Sequence, residues 1–218
     1  MITTATPTPA ATRTQTTLDL LRAVGSPNPV VDLSAARQFV RAIAGTSAAP
    51  MAWVAIAESP AATKARVPSL FLFGPLFEHE AALAEANAAG CSVECVVNQT
   101  NGAGIEAADV EAVRALWICT DSEDARFTRE QVGAVRPKPH LITEVCRGQF
   151  NLFWAMQPGE CSLKDFAPAL RHITLRLKSS RSVLHIEQRS RVPGFYSWRD
   201  ESKPFQSEII LDRTRGQA

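Results

Sequence analysis

The sequence lacks the long apolar run of a membrane-spanning helix, because no stretch approaches about eighteen consecutive apolar residues. It also has little net charge: 23 basic and 22 acidic side chains leave +1, which disfavours a protein that coats long nucleic acid through bulk charge. No CxxC pair occurs among the 5 cysteines, so a zinc ribbon or a thioredoxin-like site is not supported. The motifs GxxxxGKS/T, GxGxxG, HExxH and GxSxG are missing too, which disfavours P-loop, Rossmann, zincin and α/β-hydrolase proteins.

The composition that remains is that of an ordinary globular protein, with 218 residues, of which 45% are apolar and 21% are charged. This length predicts one domain or two small lobes that share a core. Residues 1–16 are rich in Thr, Ala and Pro, which predicts a disordered tail. We expect a helical segment over 17–49 and the main domain over 50–213. Free cysteines without a recognisable secretory signal predict a cytoplasmic protein.

The basic residues are concentrated towards the C-terminal end of the chain. Residues 171–218 contain 10 basic and 5 acidic side chains, whereas residues 1–170 contain 13 basic and 17 acidic ones. A clustered basic face can contact a phosphate backbone even when the whole protein is nearly neutral. A solvated helix surface has the same composition, so the charge pattern alone leaves both interpretations open.

Turn and cap residues divide the chain into helices and strands. Ser34 and Gly45 predict the start and the end of a helix, and Gly148 marks the turn of a hairpin between strands at 140–146 and 150–156. Further strands are predicted at 51–57, 69–73, 92–98, 113–119 and 207–211, and further helices at 76–89 and 162–177. This order predicts an α+β sandwich, in which helices pack against a mixed or mostly antiparallel sheet.

Three segments carry, in this order, a resemblance to a known family. They are GCSVECVVNQTNGAGIEAADVEAVRALWICTD at 90–121, PHLITEVCRGQFNLFW at 139–154 and VLHIEQRSRVPGFYSWRDESKPF at 183–205. Together they resemble the RepB-like primase domain of the archaeo-eukaryotic primase, or primase-polymerase, superfamily. The resemblance implies an RRM-related primase-polymerase fold. It also implies metal-dependent nucleotidyl transfer, in which carboxylates hold two Mg²⁺ or Mn²⁺ ions.

The residues at the family's catalytic positions are mostly substituted in this sequence. The first Asp of the family's Asp-x-Asp pair corresponds to Cys119, and the second is retained as Asp121. The family's hairpin His corresponds to Asn151, and the Asp of the third block corresponds, counting back from RVPGF, to His185. A thiol, an amide and an imidazole are poor ligands for Mg²⁺. The resemblance with these departures therefore predicts an inactive transfer site.

Two alternatives arise from the same residues. Neighbouring acids, namely Glu123, Asp124 and Glu187, could replace the missing carboxylates. The first candidates for metal ligands are then Asp121 and Glu123. Alternatively, Cys119, Asp121 and His185 could hold a softer ion such as zinc, since residues 119 and 121 project from the same side of a strand. A core thiol and a solvated imidazole are the simpler explanation of these side chains.

The candidate nucleic-acid contacts lie in the loop after the third strand, at the hairpin turn and around RVPGF. The basic side chains there are typical of phosphate binding, and they are Arg147, Arg189, Arg191, Arg199 and Lys203. Two asparagines can also approach a phosphate, Asn98 at the end of the strand and Asn101 in the QTNGAG loop that follows it. Aromatic side chains near them could stack on bases, namely Phe150, Phe153, Trp154, Phe195, Tyr196 and Trp198. Alternation along the hairpin strand predicts that Phe153 is buried instead.

The resemblance and its departures together predict a nucleic-acid-binding protein of plasmid, phage or mobile-element replication with an inactive transfer site. Its expected partners are single-stranded or primed DNA, nucleotides and a replication helicase. An active primase-polymerase that uses substitute carboxylates is the enzymatic alternative. A module that kept the fold and binds no nucleic acid is the third interpretation, and DNA binding at low salt separates it from the first.

Overall fold

The computed structural model describes residues 30–120, 127–177 and 185–214. The predicted tail at 1–16 and the first part of the segment 17–49 lie outside the described residues. None of the helices within the described ranges is both long enough and apolar enough to span a bilayer.

Five helices and twelve strands are described in these ranges. The helices are α1 (Leu33–Ala44), α2 (Pro60–Lys64), α3 (Leu76–Ala88), α4 (Arg129–Gly133) and α5 (Leu163–Leu177). The strands are β1 (Met51–Ala57), β2 (Leu70–Gly74), β3 (Cys91–Val96), β4 (Gln99–Thr100), β5 (Val110–Ala112), β6 (Ala115–Cys119), β7 (Leu141–Cys146), β8 (Gln149–Ala155), β9 (Arg189–Arg191), β10 (Tyr196–Ser197), β11 (Phe205–Gln206) and β12 (Glu208–Asp212).

The strands form two antiparallel sheets of four strands and two short ribbons. The first sheet has the order β2-β1-β3-β9, and the second has the order β12-β7-β8-β6. In the second sheet Leu141 pairs with Phe153 and Thr143 pairs with Asn151, which sets the register of the β7–β8 hairpin. The predicted hairpin is confirmed, and Gly148 takes the positive φ of 72° that its turn requires.

The main core lies between the two sheets and helix α1. The apolar stripe of α1 is buried there, with Phe39 meeting Phe153 of β8 edge-on at a centroid distance of 5.5 Å. Trp117 stacks on Phe153 from the other side at 5.6 Å. Trp53 of β1 is also fully buried, and its indole N–H donates to Gly74 O over 2.9 Å, so no polar atom of this ring is left unpaired. Helix α1 is therefore part of the same core as the sheets.

Further apolar layers cover the outer side of the second sheet and the ends of the first. Phe166, Leu170 and Ile173 lie on one face of α5 and pack on β6 and β8. Helices α2 and α3 pack on β1 and β3, where Cys91 is buried against Ala62 and Ala86. The α+β class predicted from the sequence is confirmed, with helices on the faces of antiparallel sheets.

The start of α1 differs by two residues from the sequence-based prediction. Asp32 caps the helix, since its Oδ1 accepts from the backbone N–H of Ser34 and Ala35 over 2.9 and 3.1 Å. Ser34 was the predicted cap, but it lies within the first turn. Both residue types cap helices, and the backbone N–H of Asp32 donates to Gly194 O over 2.9 Å, which holds Asp32 outside the first turn at the cap position. The predicted glycine stop is confirmed, because Gly45 has a left-handed φ of 77°.

The RVPGF turn joins this helix start to the rest of the fold. Gly194 has a φ of 90°, and its carbonyl accepts from Asp32 N–H over 2.9 Å. A Cβ at position 194 would lie 2.0 Å from Asp32 O, so only glycine allows this approach. Val192 and Phe195, on either side of the Pro-Gly pair, are buried in the main core. The turn thus anchors α1 to the end of β9.

Candidate functional site

Three side chains from adjacent strands of the second sheet face the space between the two sheets. Cys119 of β6 is the register partner of Asn151 of β8, which is in turn the partner of Thr143 of β7. Register partners in an antiparallel sheet project to the same side, so the three side chains form one row. Asn151 and Thr143 are buried, and Cys119 is partly exposed at the end of the row. We call this row the central row.

Ser190 of β9 meets the central row from the opposite sheet. Asn151 Nδ2 donates to Ser190 Oγ over 2.9 Å, and Ser190 Oγ donates to the carbonyl of Arg191 over 3.0 Å. Ser190 pairs with Cys95 of β3, whose buried thiol lies in the main core. This polar contact links the two sheets at the place where the family's catalytic residues are expected.

The central row is polar but carries no formal charge on the described side chains. Asn151 Oδ1 and Thr143 Oγ1 are buried and have no hydrogen-bond partner within the described ranges. An amide oxygen and a hydroxyl are weak ligands for a divalent cation compared with carboxylates. Among the described residues, no group of three or more His, Cys, Asp or Glu is placed to hold a metal ion. The described donors therefore do not fit the two-metal centre that the resemblance implies.

Two side chains continue from the central row to the protein surface. Gln149 Nε2 donates to Cys119 Sγ over 3.4 Å, and Arg199 Nη1 donates to Gln149 Oε1 over 2.9 Å. Arg199 has about half of its side chain exposed, at 52%. Arg199 Nε also lies 3.6 Å from Glu58 Oε1, so the guanidinium is partly paired, and its solvent-exposed N–H groups are the ones that can contact an anion.

Glu58, just after β1, holds the RVPGF region in place. It accepts two hydrogen bonds from the guanidinium of Arg191 and one from the backbone N–H of Trp198 over 2.8 Å. Burial lowers the pKa of Arg191, but the hydrogen bonds and the charge of Glu58 outweigh burial, so that the net direction is upward. The Arg191 side chain is only 13% exposed. Its guanidinium is thus committed to a buried ion pair, although the sequence suggested a phosphate contact.

The other predicted basic contacts are more accessible. Arg189 pairs with Glu94 across β9 and β3, at 3.5 Å, and is about one third exposed. Arg147 is exposed in the β7–β8 turn, and Lys203 is exposed in the turn before β11. Of the predicted phosphate contacts, Arg147, Arg199 and Lys203 combine a positive charge with high exposure. We call these three residues the basic rim.

The buried carboxylate of Glu144 fixes the turn that carries Arg147. Glu144 Oε1 accepts from Gly148 N–H over 2.9 Å, and its Oε2 accepts from Arg129 Nε over 2.8 Å. The hydrogen bond and charge of Glu144 raise the pKa of Arg129. Glu144 was not singled out in the sequence. Its only local signal is a charge in an otherwise apolar strand.

The loop asparagines have different environments. Asn98 is buried, with Oδ1 accepting from the N–H groups of Arg114 and Ala115 and with Nδ2 donating to Ile186 O over 2.8 Å. All of these partners are backbone groups, so Asn98 ties the start of β6 to the segment before β9. Asn101 is exposed, and its Oδ1 accepts from Ala103 N–H over 2.8 Å within the turn.

His185 lies at the protein surface rather than in the central row. It is 71% exposed, and its Nδ1 lies 3.5 Å from Glu187 Oε1. Ser190, five residues further along the chain, is the third-block residue that contacts Asn151. The remaining predicted metal and catalytic positions, Asp121 and Glu123, lie outside the described residues, as does Asp124.

Most of the aromatic side chains expected to stack on bases are buried. The exposed fraction is 5% or less for Phe150, Trp154, Phe195 and Trp198, as it is for Phe153, whose burial was predicted. The indole N–H groups of the two tryptophans donate to backbone carbonyls of Pro137 and Asn87. The stacking hypothesis is therefore wrong for these four side chains, because the core rather than solvent receives them. Tyr196 remains partly exposed.

Three solved structures of primases have the same fold. The AEP domain of the primase-polymerase of cyanophage S-2L aligns with a TM-score of 0.65 and 16% identity, over 83% of this chain and 90% of that chain. The primase RepB′ aligns with a TM-score of 0.59 and 11% identity, over 84% of this chain and 57% of that chain. The catalytic domain of RepB′, solved in complex with initiator DNA, aligns with a TM-score of 0.55 and 12% identity, over 91% and 86%.

These alignments define the architecture of the chain. The chain has the RepB-like primase-polymerase fold, as the three sequence segments predicted. No protein-family model matches the sequence, and the comparison with curated proteins finds no relative. At identities of 11–16% the similarity describes the fold, while the function has to be argued from the site itself.

Proposed function

We propose that this chain is a nucleic-acid-binding replication protein of the primase fold whose nucleotidyl-transfer site is inactive. The main observation behind the proposal is the contact between Asn151 and Ser190 beside Cys119, because it gives the space between the two sheets a neutral centre. A two-metal transfer site needs several convergent carboxylates, because Mg²⁺ and Mn²⁺ prefer charged oxygen ligands. Replacing them with neutral groups removes several kcal/mol of transition-state stabilisation, which corresponds to several powers of ten in rate.

The basic rim supports a nucleic-acid ligand. Arg199 reaches the central row through Gln149, and Arg147 and Lys203 are exposed on turns of the same C-terminal half. Exposed guanidinium and ammonium groups on turns contact phosphates without reading sequence. The solved complex of the RepB′ catalytic domain with initiator DNA makes DNA the first ligand to test on this chain.

DNA binding is tested with fluorescently labelled single-stranded and primed DNA, by anisotropy over a series of salt concentrations. We expect wild-type binding that weakens with salt. We expect Arg199→Ala to reduce affinity about ten-fold and to lower the magnitude of the salt slope by about one. Arg171→Ala is the matched control, since Arg171 is an exposed arginine on α5, away from the central row. Absence of wild-type binding at low salt would overturn the proposal in favour of a module that binds no nucleic acid.

Catalysis is tested separately, by primer synthesis and primer extension with Mg²⁺ or Mn²⁺ and deoxynucleotides. We expect no incorporation above the level of a reaction without protein. Incorporation that disappears in Asp121→Ala would overturn the inactive site and establish an active primase-polymerase. In that case Glu123→Ala, Asp124→Ala and Glu187→Ala would identify the substitute carboxylate.

A further inference from the structure

Strand β2 is an edge of the first sheet, and the side chain of His79 lies 3.1 Å from its Phe73 O. Within the described residues it pairs with β1 alone, over five register pairs without a bulge. Its sequence, LFLFG over Leu70–Gly74, contains no charged residue and no proline. Charges, prolines and bulges are the usual devices that stop an edge strand from pairing with another chain, and β2 has none of them. An additional strand at this edge would replace the contact between His79 Nε2 and Phe73 O.

Three of the six exposed large apolar side chains among the described residues lie on this edge strand or just after it. Phe71 is 40% exposed and Phe73 is 37% exposed, and as alternate residues of a strand they project from the same face. Phe77, at the start of α3, is 61% exposed. Only three other large apolar residues in the described ranges are exposed, and they lie in other elements. Exposed aromatic side chains on and next to an edge strand are typical of a protein interaction surface.

The charges near the patch argue against nucleic acid as its ligand. The loop after β4 reaches Phe73, because a Cβ at Gly102 would lie 2.7 Å from the phenyl ring. That loop continues with the acidic residues Glu106, Asp109 and Glu111. Acidic residues in the segment that contacts Phe73 disfavour a phosphate backbone there, so the edge is better suited to a polypeptide.

The flanks of β2 have opposite charges, which favours pairing with an identical strand. Lys64 and Arg66 precede β2 and are exposed, and Glu78 follows it and is exposed. In an antiparallel pair of identical strands, the basic flank of each copy lies beside the acidic flank of the other. A parallel pair would place like charges together. The charge pattern is thus self-complementary for the antiparallel arrangement alone.

We propose that β2 is a homodimer interface, at which a second copy of this chain pairs antiparallel about a two-fold axis near Leu72. The two four-stranded sheets would then form one continuous sheet. Phe71 would lie opposite the partner's Phe73, so that both aromatic pairs gain the cross-strand contact that stabilises sheets. The exposed parts of the three phenylalanines amount to about 300 Å² of apolar surface per copy. An area of this size is small for a protein interface, so we expect weak association that depends on protein concentration.

The test is sedimentation of the full chain over a range of concentrations. We expect a monomer–dimer equilibrium in the wild type and a monomer in Phe71→Lys, because a charge on the edge prevents pairing. Leu175→Lys is the matched control, since Leu175 is 75% exposed on α5. A wild type that remains monomeric up to about 100 μM, or a dimer that persists in Phe71→Lys, would overturn the proposal.

A charge exchange tests the antiparallel arrangement independently of the apolar contact. Arg66→Glu and Glu78→Arg should each weaken the dimer, and the double variant should restore it, because each flank then again faces the opposite charge. Failure of the double variant to restore association would reject this geometry. If Phe71→Lys instead weakens DNA binding of a monomeric wild type, the patch belongs to the nucleic-acid surface and the homodimer is wrong.

Discussion

Asn151 donates a hydrogen bond to Ser190 across the space between the two sheets, over 2.9 Å, where both side chains are at least nine-tenths buried. The resemblance found in the sequence implies carboxylates and metal ions at this place. Here the amide N–H group of Asn151 and the hydroxyl of Ser190 connect the sheets through neutral groups, while Asn151 Oδ1 has no hydrogen-bond partner within the described ranges.

Restoring a charge at this position should destabilise the protein. Asn151→Asp conserves the shape of the side chain but places a carboxylate in a buried position without a cationic partner in the described ranges. We expect a loss of about 2–4 kcal/mol in the free energy of unfolding at pH 7. The loss should be smaller at pH 4, since burial raises the pKa of the new carboxyl and its neutral form is the one that the site tolerates. Urea unfolding at both pH values measures the difference.

The matched control for this variant is Asn101→Asp, because Asn101 is exposed. We expect a change of about 0.5 kcal/mol or less, with little dependence on pH. If Mn²⁺ stabilised Asn151→Asp but not the control, the space between the two sheets would have the donors for a metal ion and the neutral-centre argument would fail.

Breaking the Glu58–Arg191 pair should be costly, because it leaves one buried charge uncompensated. Glu58→Gln is expected to lower the free energy of unfolding by about 3–5 kcal/mol. Glu58→Gln combined with Arg191→Met should cost less than the two single changes added together. A double-mutant cycle measures this coupling, and additive losses would contradict the pairing that the structure describes.

Gly194 and Gly148 provide a matched test of steric restriction. Both have positive φ, of 90° and 72°, but a Cβ at 194 meets Asp32 O at 2.0 Å, whereas at 148 no atom lies within 4 Å. Gly148→Ala should cost about 1–2 kcal/mol from backbone strain alone. Gly194→Ala should cost clearly more, because α1 must move. Equal losses in thermal or urea unfolding would mean that α1 is not held by this turn.

The buried thiols predict a loss of stability at alkaline pH. Burial raises the pKa of Cys91 to about 11 and that of Cys95 to about 12, above the usual range of a thiol. Their contribution is complete below pH 9 and decreases as the pH rises towards 11–12, because the unfolded chain ionises first. At pH 10 the loss is about 1 kcal/mol per thiol.

The double variant Cys91→Ala/Cys95→Ala should show a flatter dependence of unfolding free energy on pH between 8 and 11, despite a lower stability at neutral pH. Cys146→Ala is the control, because the Cys146 thiol is partly exposed rather than buried and lies beside Ser197 Oγ. An unchanged slope in the double variant would show that other groups cause the alkaline loss.

The elements of the fold were predictable because their signals are local. Gly45 and Gly148 end a helix and form a turn, and both do so through their own backbone conformation. The apolar run of β1 predicted a strand without reference to its neighbours. The cap of α1 was less predictable, because Asp32 and Ser34 are both good caps. The contact between Asp32 N–H and Gly194 O, which decides between them, joins distant parts of the chain.

The site was less predictable because its contacts join distant parts of the chain. Glu58 and Arg191 are 133 residues apart, and nothing local in either segment indicates the pair. The burial of Trp198 likewise depends on Asn87, which accepts its indole N–H. Cys119 and Asn151 could be placed together only through a hairpin register and a family resemblance. Ser190 was missed because a serine in a three-residue strand carries no distinctive signal.

The hydrogen bond from Asp32 N–H to Gly194 O has a practical consequence for the design of shorter variants of this protein. A fragment that begins at residue 50, where the main domain was expected to start, would lose α1 and uncover Phe195, Trp53 and Phe153. Such a truncation would be prone to aggregate, whereas removal of residues before Val30 leaves every described contact of the helix intact.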